Sequence, residues 1–419
     1  MFVSLFNLLM LGVRRKSTYN EAMSEKFTEL EAAPQDPIMQ ANAEWPAFAR
    51  EHPDAINTTI GVIIDPDAGK PWRPLTVQRA LEHAATKIVE DQLYGYQPPA
   101  GSEDLLFGVK TMYDVTGTSE SLAYQALGGT GALQLTKEAL TSLLTGPKEL
   151  LLDPGWPNHQ RIFETDFDIK TYQHADYETG TYNHQAALDM LAEASDGATV
   201  LLQGHGYNDD GLDRTDQQWE DVLSAAVEKE MTVILDMAYV GLKNSYYSDF
   251  SPVWRAADKG LLTFANLSFS KNMGLYNERV GALLVVNADT VLGTQQASRF
   301  DQAVKRIIRR TVSSPPQLAA MAAGSMLQYG GFHDELIDVR NRLVANRTLL
   351  AETLPTFPII SNGSGLFTKL LPKGYTDTQY AYLQGAGIHA LKNSRLNLGG
   401  IRLDQVERVG QTILQALEV

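Results

Sequence analysis

The chain has 419 residues, 44% hydrophobic and 20% charged, the make-up of a globular protein with core enough for more than one domain. Its formal net charge of −15 repels nucleic acid and anionic lipid and argues against polynucleotide partners. Cysteine is absent, which excludes disulfides, thiolate chemistry and zinc–thiolate centres, and the eight histidines form no H-x-x-x-H pair, so no metal site is expected.

Residues 1–13 are apolar and precede Arg14, Arg15 and Lys16, the reverse of the charge order in a secretory signal. The run is too short to span a bilayer comfortably. It reads either as a surface or membrane-touching helix or as a mis-set start, with Met23 expected as the true beginning. Residues 1–25 are therefore set apart as an extension, and a cytoplasmic protein with no membrane partner is expected. Prolines at 34 and 37 punctuate the chain ahead of a short helix. Residues 58–64 are β-branched and predict a strand, closed by the turn Asp65-Pro66-Asp67-Ala68-Gly69. Within 77–89, Leu81, Ala84, Ala85 and Ile88 have the spacing of a helix with one buried face. The loop 94–101 carries Tyr94 and Tyr96, more aromatic surface than a linker needs; the tyrosines either pack on a neighbouring surface or serve a function.

A strand at 121–125 runs into Gly128-Gly129-Thr130-Gly131 and a helix over 132–144. A glycine-rich turn at a helix start exposes N–H groups and the positive dipole end, which suits a phosphate. The spacing matches neither a P-loop nor a dinucleotide fingerprint. Strands follow at 149–152, 198–203 and 232–235, ending respectively in Asp153-Pro154-Gly155-Trp156, in a loop through Asn208, Asp209 and Asp210, and in Asp236-Met237-Ala238-Tyr239. Thr215 and Gln218 predict a capping box ahead of a helix striped by Trp219, Val222, Leu223, Ala226 and Val227. Strands that alternate with helices and end in polar residues indicate a mainly parallel α/β sheet, in which ligands gather at the strands' carboxyl ends.

Two further strands, 262–267 and 282–286, bracket Ser268-Phe269-Ser270-Lys271 and the turn that follows. An amine at the end of a buried strand can lose part of its basicity and act as nucleophile or Schiff-base former. Ser268, Ser270 and Arg279 suit a phosphate beside it. The alternative is a solvated surface turn. Downstream come a basic helix at 298–310, a long helix over 317–350 broken at Gly330-Gly331, short strands at 358–360 and 366–370, the stretch 394–398 and a terminal helix at 404–417.

Four stretches in order, Gly69-Lys70-Pro71-Trp72, Gly128-Gly129-Thr130-Gly131-Ala132-Leu133, Trp156-Pro157-Asn158-His159 and Ser268 through Arg279, resemble the aspartate aminotransferase family. These are class I aminotransferases of pyridoxal-phosphate (PLP) fold type I, and the resemblance runs from about residue 28 to the C-terminus. It implies a mainly parallel seven-stranded sheet flanked by helices in a large domain, 76–340, and a smaller α+β domain built from 26–75 and 341–419. It implies PLP as cofactor and transfer of an amino group between an L-amino acid, dicarboxylic or aromatic, and a 2-oxo acid, in a homodimer with shared active sites. Lys271 then bonds the cofactor and shuttles the proton. Asp236 pairs with the pyridinium nitrogen, Asn208 and Tyr239 bind the 3′-oxygen, and Trp156 stacks on the ring. Gly129, Thr130, Ser268, Ser270 and Arg279 hold the phosphate, with Tyr96 reaching it from the other subunit. Arg395 clamps the α-carboxylate and Arg309, with Arg310 as rival, takes the side-chain carboxylate across the interface; Gly61, Trp156 and Asn208 also face the substrate.

This chain departs from the family pattern at Asn208-Asp209-Asp210-Gly211, where the family has Asn-Pro-Thr-Gly. The lost proline helps aim the asparagine, and the two added carboxylates oppose an acidic substrate. Ile63 or Ile64 and Val312 stand where aromatics are usual. On the same fold and cofactor, an amino-acid decarboxylase or lyase is one rival reading and a non-catalytic PLP-binding regulator another.

Overall fold

A computed structural model describes residues 36–113, 121–143, 145 and 148–419. The apolar N-terminus, Met23 and Pro34 lie outside them. Seven strands form the central sheet: β2 (Ser121–Leu127), β3 (Glu149–Leu152), β4 (Asp168–Thr171), β7 (Thr199–Gln203), β8 (Thr232–Met237), β9 (Thr263–Ser268) and β10 (Val280–Val286). Their order is β2-β10-β9-β8-β7-β3-β4, parallel throughout except for β10, which runs antiparallel to both β2 and β9. Every residue of β7, β8, β9 and β10 is buried, because helices cover both faces; such strands read as continuous apolar runs. The predicted capping box is present, with Thr215 accepting from Gln218 N and Gln218 returning the bond.

Smaller pieces accompany the sheet. β1 (Ile56–Asn57) pairs in parallel with β12 (Ile388–His389), while β5 (Ala175–Asp176) pairs antiparallel with β6 (Thr181–Tyr182) and β11 (Phe367–Lys369) antiparallel with β13 (Arg395–Asn397). Long helices at Leu318–Tyr329 and Phe332–Thr353 are separated at Gly330, as the glycine pair predicted. Residues 41–419 belong to one compact unit.

Three local expectations need correction. Residues 58–64 are not a ladder strand: three of their carbonyls go to side chains, with Arg395 donating to Thr59 O and Asn397 to Ile60 O and Val62 O. Residues 358–360 open a short helix, Pro358–Asn362, because a proline at the first helical position presets φ, and three apolar residues cannot tell strand from helix. Gly128 to Gly131 are not a turn before the helix but its first turn, the helix spanning Gly128–Leu143.

Candidate active site

All the parallel strands end at one edge of the sheet, and that edge collects the polar residues. Asp236, near the end of β8, lies level with Gln203 of β7 and Asn266 of β9, so its side chain emerges where β9 delivers Ser268 and the turn to Lys271. β9 and β10 form a hairpin in register Ser268 to Gly281, and the loop between them carries Ser270, Lys271, Tyr276 and Arg279.

Beside this loop, β2 passes directly into the helix Gly128–Leu143. Gly128 has φ +70°, and a Cβ there would lie 2.4 Å from Arg279 Nη2; a Cβ on Gly129 would lie 2.9 Å from Ser268 Cβ. The missing side chains thus keep a hollow open beneath a helix N-terminus whose N–H groups have no intrahelical partner. Arg279 reaches it from the other side, donating to Ser270 Oγ at 3.3 Å and to Tyr276 O at 2.9 Å. Backbone N–H groups, two serine hydroxyls, Thr130 and a guanidinium around one hollow are the donor set a phosphate requires.

Burial, and then the charges of Arg279 and Arg395, bring the Lys271 ammonium down to about 8 despite the opposing carboxylate of Asp236. A solvated surface turn is therefore excluded for Lys271. Its Nζ stands 5.1 Å from the centre of the Tyr276 ring, and Tyr276 OH accepts from Ile63 N at 2.9 Å. Asp236 Oδ2 meets His159 Nε2 at 2.7 Å, and His159 is fully buried against Trp156, ring centres 4.9 Å apart and edge to face.

A second set faces these groups. Asn208 donates from Nδ2 to Tyr239 OH at 3.1 Å and accepts at Oδ1 from Arg395 Nη1 at 2.8 Å. Arg395 also donates to Thr59 O and lies over the Phe367 ring, 4.5 Å from its centre. Phe367 in turn sits 2.8 Å from where a Cβ on Gly61 would be, which accounts for glycine at that position. Burial pushes the Tyr239 hydroxyl well above the usual phenol range, so it stays protonated. Acid and base groups are thereby separated within one site: a lysine that gives up its proton near neutrality and a tyrosine that keeps its own.

Asp209 and Asp210 do not stand as bare charges. Asp209 Oδ2 takes the Lys369 ammonium at 2.6 Å, and Asp210 bonds His174 Nδ1 at 2.9 Å while capping Leu212 N. Their expected opposition to an acidic substrate is thus met by internal partners. Ile63 is buried, whereas Val312 is only partly buried and lines a cavity with Gln134, Ile308 and Pro315.

Tyr96 and Arg309 are not brought to the cluster within this chain. Tyr96 is 89% exposed and Tyr94 69%, so the tyrosines do not pack against a neighbouring surface of the same chain. Arg309 is exposed and donates to Ser313 Oγ, while Arg310 pairs with Glu138 at 2.8 Å. The two segments nevertheless meet, Ser314 Oγ donating to Gln97 O at 2.9 Å.

Sequence reasoning gave no role to His159 or Tyr276, although both lie inside the quoted motifs. A histidine three residues after an aromatic at the end of a strand was the available signal for the first. Only the fold, which sets Tyr276 under Lys271, reveals the second.

The family model described as aminotransferase class I and II matches residues 71–409. Aspartate aminotransferase of Pseudomonas aeruginosa is 29% identical over 411 residues, spanning 93% of this chain and 99% of that protein. The aromatic-amino-acid aminotransferase of Burkholderia pseudomallei, solved covalently bound to pyridoxal phosphate, has TM-score 0.83 and 28% identity over 93% of this chain and 99% of its own. A psychrophilic aromatic aminotransferase from Psychrobacter sp. B6, cocrystallised with aspartic acid, has TM-score 0.83 and 26% identity over the same 93% and 99%. The hollow at Gly128, the acid at Asp236 and the lysine of lowered basicity fit PLP, and the chain belongs to the class I and II aminotransferases as a PLP-dependent transaminase.

Proposed function

We propose that this transaminase takes aspartate or glutamate as its leading donors, with aromatic amino acids also admitted, and works as a cytoplasmic homodimer. In that dimer each site borrows Tyr96 and Arg309 from the other subunit. The observation that carries the substrate class is Arg395, buried and oriented by Asn208 and Thr59 O. Such a guanidinium, aligned by acceptors on two sides, offers a carboxylate a preset fork. Arg309 and Tyr96 stand exposed on segments joined by the bond from Ser314 to Gln97, as residues serving a facing subunit should. Residues 26–75 and 341–419 are proposed as the small domain around 76–340, a division supported by the pairing of β1 with β12. Among the described residues no helix is long and apolar enough to cross a membrane.

PLP, when bound, supplies the electron sink that lets a proton leave the substrate's Cα. Everything else falls to the chain. Gly129 N–H, Thr130, Ser268, Ser270 and Arg279 would hold the phosphate, and Asp236, steadied by His159, would hold the ring nitrogen. Lys271 Nζ would hold the aldehyde carbon and, once released, move the proton. Lowered basicity suits that work, because a base is most useful when its pKa lies near the working pH. Trp156 would cover the ring face and Tyr239 would shield the ring oxygen from water.

The test is Arg309→Ala. It should lower kcat/KM for aspartate far more than for phenylalanine, and sedimentation should show a dimer. Equal losses for the two substrates, or a monomer of full activity, would refute the assignment.

A further inference from the structure

In the ribbon of β11 and β13, Lys369 lies directly opposite Arg395. Residues so paired project from the same face with Cβ atoms about 4.5–5.5 Å apart, and like charges there repel. The loop after β7 answers with two consecutive side chains, one for each cation. Asn208 Oδ1 takes Arg395 Nη1 at 2.8 Å, and Asp209 Oδ2 takes Lys369 Nζ at 2.6 Å. Asp209 is buried and its second oxygen has no hydrogen-bond partner; burial pushes its carboxyl above the usual range, and the charges of Lys369 and then Arg395 oppose that rise. The family pattern has a proline here. Replacing a neutral ring by a buried carboxylate, one residue from the asparagine that orients Arg395, creates a competitor for the guanidinium.

We propose that Lys369 is a positioning residue that determines carboxylate affinity: it engages the Asp209 carboxylate, which otherwise competes with the substrate for Arg395. This role rests on the reading of Arg395 as the substrate clamp. It differs in sign from a merely structural ion pair, in which loss of either partner does the same harm. Without Lys369 the nearest cation open to Asp209 is Arg395, and substrate binding weakens. Without the Asp209 charge, Lys369 and Arg395 both remain positive, and binding does not weaken.

The experiment is calorimetric titration of the PLP-loaded enzyme with succinate, a dicarboxylate that has no amine to react. Lys369→Met should raise Kd about tenfold, and Lys369→Arg should keep it within threefold of wild type. Asp209→Asn should leave Kd equal or lower, and the double substitution Asp209→Asn/Lys369→Met should return to within threefold. An Asp209→Asn variant whose Kd for succinate rises about tenfold over wild type overturns the proposal, and this arm stands even if Lys369→Met fails to fold. Arg395→Ala separates the two levels. If it leaves succinate affinity unchanged, the clamp assignment falls and the proposal with it; if it weakens binding while Lys369→Met does not, the proposal alone falls.

Discussion

Replacing Lys271 by methionine should make the cofactor-free protein more stable, by an amount that depends on pH. In the folded chain this ammonium titrates at about 8, against 10.5 for an ordinary lysine, because burial and then Arg279 and Arg395 disfavour its charge. A lowered lysine pKa means the folded state holds the proton less tightly than the unfolded one. The resulting cost is fully present below pH 8 and disappears as pH rises toward 10.5. Each pKa unit is worth about 1.4 kcal/mol, so the full difference corresponds to roughly 3 kcal/mol, reduced to about 2 by the side chain's partial access to water. Urea unfolding of wild type and Lys271→Met, both freed of PLP, should show the variant ahead by about 2 kcal/mol at pH 7, converging above pH 10. A gap that stays constant from pH 7 to 10.5, or a less stable variant at pH 7, would refute burial and neighbouring charge as the cause of the lysine's lowered basicity.

Three more outcomes follow from other contacts. Arg214 chelates the fully buried Asp153 at 2.6 and 2.9 Å, so Arg214→Met should cost about 3–5 kcal/mol in chemical unfolding at neutral pH. Burial pushes Asp153 up, but the charge of Arg214 wins and holds it below the usual carboxylate range, so this stability is present above the unfolded pKa and is lost as pH falls through the folded one. His159→Leu removes the bond to Asp236 and should weaken PLP retention roughly tenfold, read by equilibrium dialysis, as expected for a hydrogen bond to a carboxylate. Gly128→Ala forces a side chain onto φ +70° and against Arg279, and should lower stability by about 1 kcal/mol while loosening PLP, measured by thermal unfolding with and without cofactor.

Much of this architecture was legible because the chain states it locally. β7 to β10 are apolar runs between turn residues, and the box at Thr215 and Gln218 marks its helix without help from the fold. The cofactor-side residues were legible for a similar reason, since Ser268, Ser270, Lys271 and Arg279 lie within one hairpin loop and need no distant partner to be grouped. What escaped depends on contacts that local pattern cannot encode. Residues 58–64 have the composition of a strand, yet the carbonyls of Thr59, Ile60 and Val62 are claimed by Arg395 and Asn397 from the far end of the chain. Asp209 and Asp210 look like unmatched charges until the fold delivers Lys369 and His174. Tyr96 stands exposed and Arg309 bonds Ser313 of its own segment, so the contacts of one chain do not join them to the cluster; only the proposed dimer would.

The seam between β1 and β12 has a consequence for how the enzyme comes into being. Thr58 Oγ1 donates to His389 O across 331 residues of chain, and Arg395 lies beyond even that. At synthesis rates of about 5–20 residues per second, the early segment waits roughly 15 to 65 s for its partner to be made. Throughout that interval Asn57, Thr58 and Thr59 have no place to dock, and toward its end every strand of the sheet that leads to Lys271 has already been made. A ribosome that stalls after the sheet but before Arg395 therefore releases a chain that can fold its cofactor cradle but lacks the arginine to grip a substrate.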